Sequence, residues 1–132
     1  MSKMYEFLKE AGVFFIATED GDQARVRPFG LVFEFENKLY FGVGDFKPSY
    51  RQLKSNPRFE ISAVRNKNSE WIRLTANAVF DDRAEAVQKA FEAVPSLREV
   101  YPEGGKNKLA VFYADNTEAY FFDLSGKKEK LS

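Results

Sequence analysis

The sequence has 132 residues, a formal net charge of zero and 44% hydrophobic residues, which is consistent with one domain and a sizeable core. It contains neither cysteine nor histidine, so disulfides, Cys/His zinc sites, His-ligated haem and Ser-His-Asp or Cys-His catalytic arrangements are excluded. No apolar run has signal-peptide character or reaches the ~20 residues needed to cross a bilayer. We therefore expect a cytoplasmic protein with one domain over residues 1–132, of which 125–132 form a polar tail.

Apolar residues recur with the period of strands in most of the chain, and with the period of helices in three segments. The predicted strands are 13–18, 23–36, 39–44, 59–65, 70–80, 109–114 and 118–124. The predicted helices are 1–11, 48–55 and one that starts with Asp82 as its cap, and a further helical turn is predicted near 97–101.

Hairpin-type turns separate most of these strands, and the last two are predicted to form a hairpin around Asp115-Asn116. The expected fold is therefore α+β, mostly β, with an antiparallel six- to seven-stranded sheet. Curling such a sheet into a barrel protects its edges from other chains.

One segment carries the pattern of an anion site. The strand that ends at residues 43–44 is followed by a loop with Lys47, and the next helix starts at Pro48. Proline suits the first helical position, and the N–H groups of Ser49 and Tyr50 are expected to be free at the positive end of the helix. Lys47 and the Ser49 hydroxyl could complete a site for a phosphate group.

Arg25 and Arg27 lie two residues apart on a predicted strand, so they face the same side and could both donate to that phosphate. The alternative is that both are surface residues that pair with Glu19, Asp22 or Asp45. Residues 25–73 contain ten Lys or Arg against five Asp or Glu, which supports a local anion site. A chain with no overall basic excess is not expected to bind nucleic acid, and no membrane partner is expected.

The order of these motifs resembles the pyridoxamine 5'-phosphate oxidase-like family of FMN-binding split β-barrels. The resemblance covers residues 5–126 and depends on RVRPFG at 25–30 followed by KPSYRQL at 47–53. It implies a homodimer with FMN in the grooves between the subunits, and an FMN-dependent oxidoreductase of unknown substrate. The true oxidases hold their substrate with a C-terminal Arg/His pair, which a chain without histidine cannot provide.

The resemblance also implies a role for each residue of the cofactor site. Arginine, lysine and serine side chains would hold the FMN phosphate, strand backbone would line the isoalloxazine ring, and the single tryptophan would face the flavin. The residues so implicated are Arg27, Pro28, Phe29, Val43, Gly44, Lys47, Ser49 and Trp71, and the strand spacing adds Arg25 to the cofactor site. Trp71 could instead be partly buried in the core or in a dimer interface. No catalytic residue and no metal site can be named.

Two other functions remain open at this point. The same groove could bind or sense flavin, or another phosphorylated ligand, without turnover. The barrel could also have lost its ligand and persist as a dimeric interaction protein.

Overall fold

The computed structural model describes residues 2–131, and within them four helices and eight strands form a mostly β, α+β fold. The helices are α1 (Ser2–Ala11), α2 (Pro48–Ser55), α3 (Ala84–Ala93) and α4 (Leu97–Val100). The strands are β1 (Phe14–Asp20), β2 (Gln23–Phe29), β3 (Val32–Phe35), β4 (Lys38–Gly44), β5 (Arg58–Arg65), β6 (Glu70–Asp81), β7 (Leu109–Asp123) and β8 (Lys128–Lys130). Residues 1 and 132, the ends of the predicted first helix and of the polar tail, lie outside the described residues. No helix in the described part combines the length and hydropathy that a membrane span requires.

All strand pairs are antiparallel, in the order β2-β1-β5-β6-β7-β4-β3, with β8 added to β7. The Phe14 ring of β1 nevertheless lies 5.7 Å from the Phe41 ring of β4, although three strands separate β1 from β4 in the sheet. The sheet therefore curls around an aromatic core, to which Phe59 and Phe112 also contribute. The predicted fold class is confirmed, and β2 and β3 form the two ends of a split barrel.

The single strand predicted over 23–36 is wrong, because it divides at Gly30-Leu31. Its first part, β2, pairs with β1, whereas its second part, β3, pairs with β4 at the opposite end of the sheet. Pro28 is compatible with β2 because an edge strand needs no N–H donor on its outer side. The chain passes from one end of the sheet to the other at Gly30-Leu31, so the glycine in the alternating pattern marks the crossing.

The hairpin predicted around Asp115-Asn116 is also wrong, because 109–123 form one continuous strand. Asn116 has a φ of 53°, and the register with β6 shifts between Thr75 and Asn77. The extra residue is thus accommodated in a bulge, since β6 is long enough to pair with β7 on both sides of it. The tail adds β8, so the described chain has eight strands where six or seven were expected.

Helix α3 starts differently from the prediction, which placed Asp82 at its cap. The cap residue is Arg83, with no side-chain cap hydrogen bond. The Arg83 guanidinium donates to Asp81 at 2.8 Å and to Glu36 at 2.7 Å, and the buried Tyr40 hydroxyl donates to Asp81 at 2.7 Å. This network joins the end of β6 to β4 and to the turn between β3 and β4.

Candidate functional site

A cavity of about 230 Å³ lies where β2, the end of β4, the start of α2 and α4 meet. It brings together seven of the nine residues that the sequence predicted for cofactor binding, namely Arg27, Pro28, Phe29, Val43, Gly44, Lys47 and Ser49. The remaining lining residues are mainly apolar and comprise Gly30, Leu31, Gly42, Leu97, Tyr101 and Leu109. The cavity thus combines a cationic end with an apolar wall.

The start of α2 forms the cationic end. Lys47 is the cap residue with extended backbone, and Pro48 occupies the first helical position, so the helix bounds predicted from the sequence are confirmed. The expectation that Tyr50 has a free N–H is wrong, because this N–H donates to the Lys47 carbonyl at 3.1 Å. The Ser49 N–H finds no acceptor among residues 2–131, and its side chain is buried beside the cavity.

Two glycines let neighbouring side chains approach the end of β4. A Cβ on Gly44 would lie 2.6 Å from the Phe46 ring and 2.8 Å from the Tyr101 hydroxyl oxygen. A Cβ on Gly42 would collide with the Leu31 side chain. Any larger residue at these positions would therefore displace the walls of the cavity.

Arg27 is held by neutral acceptors rather than by a carboxylate. Its Nη1 donates to the Thr18 hydroxyl at 2.7 Å, and its Nη2 donates to Gln52 Oε1 at 2.7 Å. The Thr18 hydroxyl also donates to Gln52 Oε1, at 2.6 Å, and both of these residues are buried. Burial and the nearby Arg25 lower the pKa of Arg27. The guanidinium is thus fixed in orientation while its charge remains unneutralised by the protein.

Lys47 supplies a second cation. Its ammonium lies 5.5 Å from the Phe46 ring centroid, and no carboxylate of residues 2–131 forms an ion pair with it. The cavity lining itself contains no Asp or Glu. Two cations, a hydroxyl and a helix N-terminus in one carboxylate-free recess favour a phosphate ester with an apolar remainder. The carboxylates of the described residues form no cluster of three that could hold a metal ion.

No family model matches the chain, and no curated protein matches it either. A solved structure of a NimC/NimA family protein from Clostridium acetobutylicum is 45% identical, with a TM-score of 0.91. The similarity covers 98% of this chain and 90% of that one. The chain belongs to the NimC/NimA family.

More distant structures share the fold of this NimC/NimA family member. General stress protein 26 from Bacillus anthracis is 12% identical, with a TM-score of 0.73, over 98% of this chain and 97% of that one. A pyridoxamine 5'-phosphate oxidase-related, FMN-binding protein from Nostoc punctiforme is 16% identical, with a TM-score of 0.68, over 98% of this chain and 85% of that one. The predicted resemblance to pyridoxamine 5'-phosphate oxidase-like proteins is confirmed at the level of the fold.

Two predicted site residues of the NimC/NimA family chain lie outside the cavity. Arg25 is half-exposed, as the surface alternative expects, but its ion-pair partner is Asp20, at 3.3 Å, rather than Glu19, Asp22 or Asp45. Trp71 lies on the outward face of the sheet, on β6, and stacks on Phe122 with 5.8 Å between ring centroids. Within one chain, β5 and β1 separate it from β2.

Sequence reasoning missed several residues of the site. Gln52 follows Ser49 by three residues and so shares its face of α2, a helical spacing that could have identified it. Thr18 is a polar residue on an inward position of β1, which is a weaker signal. Leu97 and Tyr101 reach the cavity from the two ends of α4, whose single turn is too short for periodicity to indicate which way a side chain points.

Proposed function

We propose that this protein binds FMN and acts, as a homodimer, as a flavin-dependent oxidoreductase. The main support is the cavity in which Arg27 keeps its charge beside Lys47 and Ser49, with no carboxylate in the lining. The fold is also that of a Nostoc punctiforme protein described as FMN-binding. The substrate and the electron donor stay open.

In this proposal the protein groups divide between the two ends of the cofactor. Lys47, Ser49 and Arg27 would hold the phosphate by charge-assisted hydrogen bonds. Among residues 2–131 the edge strand β2 pairs only with β1, so backbone groups near Pro28 and Phe29 can bond the polar edge of the ring. Bound FMN would supply hydride or electron transfer, which the side chains of the site do not provide.

The size of the cavity indicates how much of the cofactor it would enclose. Small-molecule sites commonly occupy about 300–1,000 Å³, and this cavity measures about 230 Å³. The phosphate end would therefore lie inside, while the ring would lie along β2 with one side open. A second protein surface is then needed to exclude water from the ring.

An apolar outward face of the sheet supports the homodimer. Phe15, Val26 and Val64 are exposed by 47%, 69% and 43%. The strand registers place them on the same face as Pro28 and Trp71. Contiguous exposed apolar residues mark interaction sites, and a second copy on this face would cover the open side of the ring. Trp71 of that copy would then approach the flavin, as the resemblance implies.

The phosphate assignment is tested by an FMN titration that follows the quenching of flavin fluorescence. Changing Lys47 and Ser49 together to Ala should weaken binding by more than ~2 kcal/mol, or about 30-fold, because hydrogen bonds to charged groups contribute about 1.5–3 kcal/mol each. Arg51→Ala is the matched control, since Arg51 is an exposed cation of α2 outside the cavity lining. Equal affinity in the double variant and the wild type would contradict the assignment.

Further measurements separate the proposed activity from the alternatives. A yellow protein with absorbance near 450 nm, or a melting temperature that rises with added FMN, would exclude a barrel without a ligand. Reduction by NADH or NADPH and reoxidation by an acceptor would distinguish an oxidoreductase from a module that only binds or senses flavin. A monomer in sedimentation experiments would contradict the dimeric arrangement.

A further inference from the structure

A second and larger cavity adjoins the proposed cofactor cavity. This groove, of about 760 Å³, lies between α3 and the segment 98–109. Tyr101 and Leu109 line both cavities. The partition includes α4, a single helical turn without a buried residue, with Leu97 on the side of the small cavity and Arg98 on the side of the groove.

The groove has the lining of a site for a planar aromatic anion. Val87, Phe91 and Leu109 supply an apolar floor. The Arg98 guanidinium lies 4.9 Å from the Phe91 ring centroid, a distance typical of cation–π contacts. With Lys108 it presents two cations against a single carboxylate in the lining. The volume falls in the range of about 300–1,000 Å³ that small-molecule sites occupy.

Tyr101 connects the two cavities. Its ring forms part of the shared wall, and its hydroxyl oxygen lies 2.8 Å from the position of a Cβ on Gly44, at the end of β4. Unlike the Tyr40 hydroxyl, which donates to Asp81, it has no partner within residues 2–131. Burial and the nearby Asp45 raise the pKa of Tyr101, so the hydroxyl stays protonated at neutral pH and can donate.

We propose that the groove between α3 and segment 98–109 is a second small-molecule site, which takes a planar aromatic compound with a carboxylate or similar anionic group. Phe91 provides the surface for the ring, Arg98 binds the anionic group, and Tyr101 couples this site to the phosphate-binding cavity. A further role of this ligand, as the reaction partner of the flavin, rests on the proposed function. Binding of the ligand in the groove does not depend on the proposed function.

The probe for the groove is 2-naphthoate, followed by amide chemical shifts in two-dimensional NMR spectra of the full chain without FMN. Shifts should concentrate in α3 and residues 97–109 and saturate with a Kd of about 1 mM or tighter. Arg98→Gln and Phe91→Leu should each weaken binding at least fivefold, while Lys89→Gln, which removes an exposed cation of α3 outside the groove, should not. Phe91→Leu removes the aromatic ring but keeps an apolar side chain, and an unchanged spectrum of the rest of the chain shows that the fold is intact.

Shifts centred on the outward face around Phe15 and Trp71, or no saturation, would overturn the second site. Coupling is measured by repeating the titration with saturating FMN. FMN should change the Kd of 2-naphthoate at least threefold in the wild type and less than about 1.5-fold in Tyr101→Phe, since coupling free energies are reciprocal between sites. Equal coupling in both proteins would refute the role of Tyr101.

The two proposals fail in different ways. If 2-naphthoate shifts the groove amides but FMN does not bind, the proposed function fails and the groove site stands. If FMN binds but 2-naphthoate leaves the groove amides unchanged, the second site fails alone.

Discussion

The hydrogen bond between Thr18 and Gln52 should make these two residues energetically coupled. Gln52→Leu leaves the Thr18 hydroxyl, which is only 3% exposed, without its acceptor, and it removes an acceptor of the Arg27 guanidinium. An unsatisfied buried donor costs about 1–3 kcal/mol, and a hydrogen bond to a charged group contributes about 1.5–3 kcal/mol. We expect the free energy of unfolding to fall by about 2–4 kcal/mol.

Thr18→Val removes the hydroxyl with little change of shape and should cost about 1–2 kcal/mol, because Gln52 and Arg27 still bond each other. In the double variant no hydroxyl is left unpaired. The combined loss should therefore be smaller than the sum of the single losses by about 1–2 kcal/mol, which is within the range measured for contacting residues.

The assay is urea unfolding of the wild type, both single variants and the double variant, without FMN and at constant m-value. Thr75→Val serves as the control partner for Gln52→Leu, since the Thr75 hydroxyl donates to the Glu118 carbonyl and shares no partner with Gln52. That pair should be additive. A coupling of less than about 0.5 kcal/mol between Thr18 and Gln52 would refute the buried network as described.

Three further outcomes are expected. Gly44→Ala should weaken FMN binding about tenfold in a fluorescence titration, because the new Cβ displaces the Tyr101 hydroxyl. The fold should stay intact, since overpacking costs about 1–3 kcal/mol and the lower entropy of the unfolded chain returns about 0.4–1 kcal/mol. Undiminished FMN binding would exclude this wall from the site. The hydrogen bond from Arg83 holds the pKa of Asp81 below its ordinary 3.8. This ion pair therefore stabilises the fold above that pH, and the free energy of unfolding should decline as the pH falls below about 4. Arg83→Gln should make this decline shallower in urea unfolding from pH 3 to 7. Burial and the hydrogen bond to Asp81 raise the pKa of Tyr40 from 10.0 to about 12. The contribution of Tyr40 to the free energy of unfolding is therefore complete below pH 10 and is lost as the pH rises towards 12. If stability fell with pH above 10 as steeply in Tyr40→Phe as in the wild type, this reasoning would be contradicted.

Much of the segment that holds the proposed phosphate site could be predicted because its structure is local. Pro48 favours the first helical position and Asn56-Pro57 ends the helix, so α2 has the predicted bounds. Lys47 and Ser49 reach the cavity from the same few residues. The free N–H predicted for Tyr50 was wrong because a tight first turn uses it.

The errors concern residues whose partners lie far away in sequence. Periodicity shows which face of a strand is buried but not which strand it pairs with. The segment 23–36 was therefore predicted to be one strand, although its two parts pair at opposite ends of the sheet. Similarly, Asp115-Asn116 resembles a turn, and only the length of β6 beside it makes the position a bulge.

By itself, the sequence determined the single curled antiparallel sheet, the proline-started helix and the cations beside it, because these follow from residue types a few positions apart. Tertiary structure alone decided that Gln52 and Thr18, 34 residues apart, fix Arg27, and that Tyr101 lies between two cavities. Hydrogen bonds of this kind depend on the relative positions of elements, and those positions result from packing of the whole core rather than from any local pattern.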